Sequence, residues 1–229
     1  MSGEAKLAAR RARDREHRRL LRMHRYEFAA RELGHTFIGG CDEVGRGPLA
    51  GPVVACVVVT GGSLMLPGLN DSKQVAPERR RLLAVEIKLR AHAWAIGEAT
   101  VAEIDRLNIY WASVLAMERA LAALPAPPDY LITDAVRLRS YLGAQLPLVK
   151  ADAKSACVAA ASILAKVHRD ALLCELDQAF PAYGFADHKG YATARHVAAL
   201  REHGPCVHHR RGFASVKEML PLFDFDPAP

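Results

Sequence analysis

Apolar positions along the chain alternate between short runs and longer stripes at helical spacing. Residues 4–33 hold only sparse apolar points (Leu7, Leu20, Leu21, Met23, Phe28) in a charged background and read as a helix. His35–Asp42 reads as a strand, followed by a Gly-rich turn and by Pro52–Thr60, a β-branched run that suits a buried strand. Gly61–Asn70 reads as a loop, and Pro77 suits the first position of a helix running to about His92. A third strand is expected at Ala93–Thr100 and a long helix at Val101–Leu124, stopped by Pro125. Asp129–Asp134 and Leu146–Ala151 read as the fourth and fifth strands. Ser155–Phe180 reads as a long helix, 181–189 as a loop, and Thr193–His203 as a further helix. This order predicts an α/β domain, a mixed five-stranded sheet flanked by helices. It would occupy residues 34–204, between a helical extension (1–33) and a C-terminal segment and tail (205–229).

Composition narrows the class. A chain of 229 residues with 51% hydrophobic content has an ample core for a soluble domain. Its longest apolar runs, such as Pro52–Val59, are far too short to span a bilayer. The charged beginning has no signal-peptide pattern, so a cytoplasmic location with no membrane contact is expected. Five cysteines, widely spaced and without a CxxC pair, argue for reduced thiols over disulfides or structural zinc. The net charge of +6 is uneven: ten Lys and Arg against five acids place +5 on residues 1–33. Such a segment attracts polyanions, although a solvated helix face would look the same.

The informative chemistry lies in acids that close apolar runs. Asp42 and Glu43 sit where a strand meets the turn Gly45-Arg46-Gly47, whose glycines let main-chain N–H groups face phosphate or hydroxyl oxygens. Adjacent strand residues point to opposite faces. Either the strand ends or bulges here, or Glu43 acts through a water or its own carbonyl. Asp134 closes Tyr130–Asp134, and Asp152 closes Leu148–Asp152 just before a long helix, where it could equally be an N-cap. Ligands gather at the carboxyl ends of strands in open α/β sheets, which favours a shared site. Clustered carboxylates raise one another's pKa unless a cation balances them. An all-oxygen donor set selects Mg²⁺ or Mn²⁺. Two such ions about 4 Å apart are the phosphodiester-hydrolysing arrangement.

These words follow one another in a family order. Asp42–Gly47 is succeeded by Asp71-Ser72-Lys73, Ile104-Asp105 with Asn108-Ile109, Asp134 and Lys150-Ala151-Asp152. Then come the helix Ala159–Asp170, His188-Lys189-Gly190-Tyr191 and His209-Arg210-Arg211-Gly212-Phe213. Over roughly residues 36–217 the series resembles the ribonuclease HII family. The resemblance implies a ribonuclease H-like fold with a small helical C-terminal part. It implies hydrolysis of RNA in RNA–DNA hybrids and cutting 5′ of ribonucleotides embedded in duplex DNA. Asp42, Glu43, Asp134 and Asp152 would then be the catalytic carboxylates and ligands of two Mn²⁺ or Mg²⁺ ions. Gly45, Arg46 and Gly47 would contact the ribonucleotide, and Tyr191 would stack on the sugar beyond the junction.

Ala135 and Ala151 stand where the family commonly has glycine, and Gly212 where it usually has serine; each alanine adds only a methyl group provided its φ is negative. Lys73 and Lys189 are candidates for phosphate contact, or plain surface residues. Lys166, Arg169 and Asp170 read as an ion-pairing face, and Trp94 and Trp111 as core. A type 3 ribonuclease H and a non-catalytic nucleic-acid-binding module are the competing classes. A monomer is expected. Met219–Phe223 is similar to the short peptides that dock on the bacterial sliding clamp, with Met219 in place of the usual glutamine; a tail folded onto the domain is the alternative.

Overall fold

Every residue of strand β2 (Val53–Thr60) is buried, as an unbroken apolar run requires in a sheet covered on both faces. It pairs antiparallel with β1 (Ile38–Val44) and β3 (Ala93–Ala99), while β4 (Tyr130–Asp134) and β5 (Ala144–Leu148) continue in parallel beyond β1. The order is β3-β2-β1-β4-β5, the mixed five-stranded sheet expected. Residues 3–220 are described in this computed structural model. Most of the Met219–Phe223 peptide therefore lies outside the described residues. The helices are α1 (Gly3–Met23), α2 (Arg25–Glu32), α3 (Pro77–Arg90), α4 (Val101–Ala122), α5 (Ala156–Ala179), α6 (Phe185–His188), α7 (Ala194–His203) and α8 (Ala214–Lys217). None of the described helices is long and apolar enough to cross a membrane.

Side-chain alternation along β2 sends Val53, Ala55 and Val57 toward Ala112, Ala116 and Met117 of α4. Val54, Cys56 and Val58 face the other way, toward Ala160, Ile163 and Leu164 of α5. A capping box between Thr100 and Glu103 starts α4, and Ser155 caps α5 by accepting from Val158 N. The N-cap alternative for Asp152 is thus removed. Helix α5 lies directly on β1 at Gly40, where an added Cβ would strike main-chain atoms of Cys157 and Val158.

Several boundaries differ from the pattern reading. The single helix over 4–33 is two helices meeting at His24, whose ring bonds the Leu20 carbonyl at 2.7 Å. The turn lets Leu20 and Met23 reach the core and buries Glu27, which accepts from Ser155 Oγ (2.8 Å) and Cys157 N (2.9 Å). A carboxylate from the extension thereby satisfies the N-terminus of α5. Strand β5 is shifted toward the N-terminus because Lys150 adopts φ 58° and residues 151–153 close a 3₁₀ turn. The loop expected over 181–189 contains a 3₁₀ turn and α6. Trp94 and Trp111 are not core: they are 37% and 46% exposed, Trp94 beneath the Lys88 ammonium and Trp111 edge-on to Tyr110. All five cysteines are free, and three are buried.

Ala135, directly after β4, has φ +56°. The condition for its methyl group to be harmless is not met. A left-handed L-residue costs roughly 1–2 kcal/mol, partly offset by the greater unfolded-state freedom of glycine. Ala135→Gly is therefore expected to stabilise the protein by about 1 kcal/mol, read as a raised denaturation midpoint. A lower midpoint would show that the strain is absorbed elsewhere.

Candidate active site

Strands β1 and β4 run in parallel with Cys41 opposite Thr133 as their last pair. One step further, Asp42 and Asp134 come side by side at the carboxyl ends of the two strands. Strand β1 does not stop or bulge there: its register with β2 is unbroken through Asp42↔Cys56 and Glu43↔Ala55. Alternation therefore holds, with Asp42 on the α5 face and Glu43 turned the other way, past the point where β4 ceases to cover β1. Asp134 Oδ1 accepts from Ala151 N at 2.9 Å. That bond ties the end of β4 to the turn bearing Asp152, so three chain segments deliver their acids to one place.

The electrostatics carry the signature of a shared site. Burial and then the charge of Glu43 hold the Asp42 carboxyl well above the usual carboxylate range, with Asp134 and Asp152 adding to the rise and Ser162 opposing it. Glu43 is raised by burial and by Asp134, while Arg46, bonded to its Oε1 at 3.2 Å, pulls the other way. Asp152 is raised by burial, then by Asp71 and Asp134, and lowered by Lys73. Glu43 Oε2 is buried with no hydrogen-bond partner. Among the described residues, no three His, Cys, Asp or Glu side chains are arranged as they stand to ligate one ion. Adjoining anions in a low-dielectric setting repel, and only a cation would draw them together. An orphaned carboxylate oxygen within an all-oxygen set fits a hard divalent ion, and these four acids include no thiolate or imidazole to favour zinc.

Beside the acids, the loop 45–52 is held by two arginines that sequence reasoning assigned differently or passed over. Arg169, read as part of a surface ion-pairing face, and Arg210 are both fully buried. Arg169 donates to the carbonyls of Ala50 (2.9 Å), Pro52 (3.0 Å) and Lys189 (3.0 Å). Arg210 donates to those of Gly45 (2.6 Å), Arg46 (3.1 Å) and Gly51 (3.0 Å). Burial lowers both guanidinium pKa values, to about 10 and about 9. Gly45 has φ +95°, and a Cβ there would strike Arg169; the left-handed turn and the packing both demand glycine. Arg46 and Gly47 are exposed, and the Tyr191 ring, itself 42% exposed, comes within 3.8 Å of where a Gly47 Cβ would lie.

Lys73 follows Asp71, which caps a 3₁₀ turn by accepting from Lys73 N at 2.9 Å. Its ammonium acts on Asp152. Ser72 and Ser162 bond through their hydroxyls at 2.9 Å, linking that turn to α5 at the level of Asp42. Neither serine nor Asp71 was singled out for the site; only their position inside the motif words could have found them. Lys189 is turned back onto the protein, with Nζ bonded to the Ala186 carbonyl and near Cys174 Sγ. Lys166 pairs with Asp170 at 2.6 Å and Arg80 with the same acid at 3.3 Å, so that part of the ion-pairing face is present.

The family model described as Ribonuclease HII matches residues 39–216. Ribonuclease HII of Thiobacillus denitrificans is 50% identical over 188 residues, which cover 82% of this chain and 92% of that relative. The solved ribonuclease H2 from Pyrococcus horikoshii superposes with a TM-score of 0.69 at 27% identity, covering 80% of this chain and 96% of that one. A PCNA:RNase HII complex from Archaeoglobus fulgidus gives a TM-score of 0.59 at 26% identity, over 76% of this chain and 91% of its match. The layered mixed sheet with acids at its strand ends and the family match agree: this chain belongs to the ribonuclease HII family, and is a ribonuclease H.

Proposed function

We propose that the enzyme hydrolyses the RNA strand of RNA–DNA hybrids and cuts on the 5′ side of ribonucleotides embedded in duplex DNA, leaving 3′-hydroxyl and 5′-phosphate ends. Its role is then the removal of ribonucleotides during replication and repair. The observation that supports this reading is the mutual electrostatic influence of Asp42, Glu43, Asp134 and Asp152 beside an exposed Arg46-Gly47 rim and the Tyr191 ring. Two divalent cations, Mg²⁺ or Mn²⁺, held by the four carboxylates would stabilise the attacking and leaving oxygens of the phosphodiester.

The protein's own part is positioning and selection. Gly45 and Gly47 keep the rim thin, so its main chain can reach a 2′-hydroxyl that DNA lacks. Arg46 supplies a positive charge toward the scissile strand while restraining Glu43. Tyr191 offers an aromatic face to the neighbouring sugar. Lys73 lies where it can meet a phosphate next to Asp152. Lys189 would have to leave its carbonyl partner to do the same, so it contributes less to binding than Lys73. For the tail, docking of Met219–Phe223 on a clamp would raise the effective concentration on DNA. The solved PCNA:RNase HII complex of a relative supports that reading.

Asp134→Asn tests the site. Cleavage of a duplex carrying one ribonucleotide should be abolished with Mn²⁺ or Mg²⁺, because a ligand is lost. A variant cutting at near wild-type rate would remove Asp134 from the site. Stability supplies an independent readout. A carboxylate whose folded pKa is raised favours folding below its unfolded pKa and loses that contribution as pH rises through the folded value. Asp42, Glu43 and Asp152 are all raised. The metal-free protein should therefore weaken as pH climbs through those raised values, and Asp134→Asn should weaken less because one repelling anion is gone. Denaturant midpoints in chelator across that range give the comparison; an Asn variant with the steeper decline contradicts it.

Tyr191→Ala should reduce cutting at a single embedded ribonucleotide by a factor matching the loss of a stacking contact, about 1–3 kcal/mol. Tyr191→Phe should keep most of the rate. Equal losses in the two variants would assign the effect to the hydroxyl.

A further inference from the structure

Three imidazoles lie behind the rim and take no part in the chemistry above. His188 ends α6, His196 sits in α7, and His209 lies between α7 and α8. His196 and His209 are completely enclosed, and His188 nearly so. The His188 and His196 rings stack at 4.3 Å, and Phe185 presents its edge to His196 at 5.6 Å.

Their hydrogen bonds determine the role of each ring nitrogen. Gly190 N–H donates to His188 Nδ1 (3.1 Å), so His188 Nε2–H donates to the Tyr183 carbonyl (2.8 Å). The Tyr191 carbonyl can only accept, so His196 Nδ1–H donates to it at 2.9 Å and leaves His196 Nε2 as a lone pair. His209 Nε2–H fills that lone pair at 3.0 Å, and His209 Nδ1 accepts from Cys206 N at 3.0 Å. One neutral tautomer per ring satisfies the whole chain. Burial agrees, lowering His196 and bringing His209 down to about 4.

Two of these bonds end on the main chain of Gly190 and Tyr191. Lys189 and Gly190 precede Tyr191 with φ of 52° and 82°, a left-handed pair that needs fixed partners. The Gly190 carbonyl in turn accepts from Leu49 N at 2.8 Å, joining this turn to the loop 45–52. An apolar cluster would fill the same volume, but it could not hold a carbonyl and an N–H of one turn at set distances.

We propose that His188, His196 and His209 are positioning residues, a chain of neutral imidazoles that fixes Tyr191 against Gly47 and so sets how well an isolated ribonucleotide junction is seated. The proposal rests on the reading of Tyr191 as the stacking residue. It requires the chain to matter far more for a single ribonucleotide in DNA than for a continuous hybrid, where many registers offer a cut.

The experiment compares kcat/KM on those two substrates for His196→Leu, His196→Asn, His188→Ala, Tyr191→Ala and the double variant His196→Leu/Tyr191→Ala, each first checked for cooperative unfolding. His196→Leu should lose about tenfold on the single ribonucleotide, the scale of one stacking contact, and little on the hybrid. His196→Asn keeps an N–H for the Tyr191 carbonyl and should recover most of that loss. The double variant should be no worse than Tyr191→Ala alone. His188→Ala, at the less enclosed end, should shift the ratio the same way and decides the matter if His196→Leu does not fold. Equal losses on both substrates, no rescue by Asn, or multiplying effects in the double variant would each overturn the proposal. Should Tyr191→Ala discriminate between the substrates while the His variants do not, the imidazole chain alone is refuted. Should Tyr191→Ala itself fail to discriminate, the stacking reading falls and takes the proposal with it.

Discussion

A guanidinium removed from water is costly unless all its donors find acceptors, and this chain buries two of them behind its rim. Among the described residues, the hydrogen bonds of Arg169 and Arg210 go only to main-chain carbonyls, most of them in the loop 45–52. A carboxylate partner would satisfy the charge more cheaply, yet it would leave the loop's own carbonyls unpaired. Satisfying the donors of both guanidinium groups with one loop fixes that loop's path, because each donor has a set direction in the planar group. The thin turn at Gly45, the exposure of Arg46 and the seat of Tyr191 all follow from that path.

The two halves of the site therefore work against each other energetically. Asp42, Glu43 and Asp152 have raised pKa values, from burial first and with the charge of Asp134 adding to it, and so oppose folding when ionised. They are held in place by elements stabilised elsewhere: α5 lying on Gly40, the Asp134–Ala151 bond, and Glu27 of the N-terminal extension at the start of α5. The basic rim lies alongside, and Arg46 spans the two through Glu43. Stability thus resides in the sheet and its covering helices, while reactivity is concentrated where the strands run out.

Much of this was legible in the sequence because it depends on local pattern. Asp42, Asp134 and Asp152 each close an apolar run; Asp134 is also the last residue of β4, while β1 continues to Val44 and β5 stops at Leu148, ahead of the turn bearing Asp152. The β-branched stretch Val53–Thr60 announced a strand buried on both sides. Arg169 and Arg210 were not legible, since their acceptors in the loop 45–52 lie more than a hundred residues away in sequence and are carbonyls, which any residue carries. Arg169, in a helix with Lys166 and Asp170, looked like one more member of an ion-pairing face. Trp111 looked like core by size alone, but it lies on the outer side of α4 after the break at Asn108, whose φ is 68°. The positive φ of Ala135 was signalled only by the glycine that the family commonly has there, since alanine itself gives no hint of a left-handed turn.

Amide hydrogen exchange on Arg210→Lys measures most directly whether buried guanidinium bracing shapes the rim. Lysine keeps the positive charge but cannot present the guanidinium's planar donors to the carbonyls of Gly45, Arg46 and Gly51 together. Faster exchange is expected in peptides covering 45–52 and 188–191, with β2 and α4 as protected as in the wild type. Wild-type protection across 45–52 in the folded variant would contradict the bracing, and would mean that the loop takes its path from some other contact.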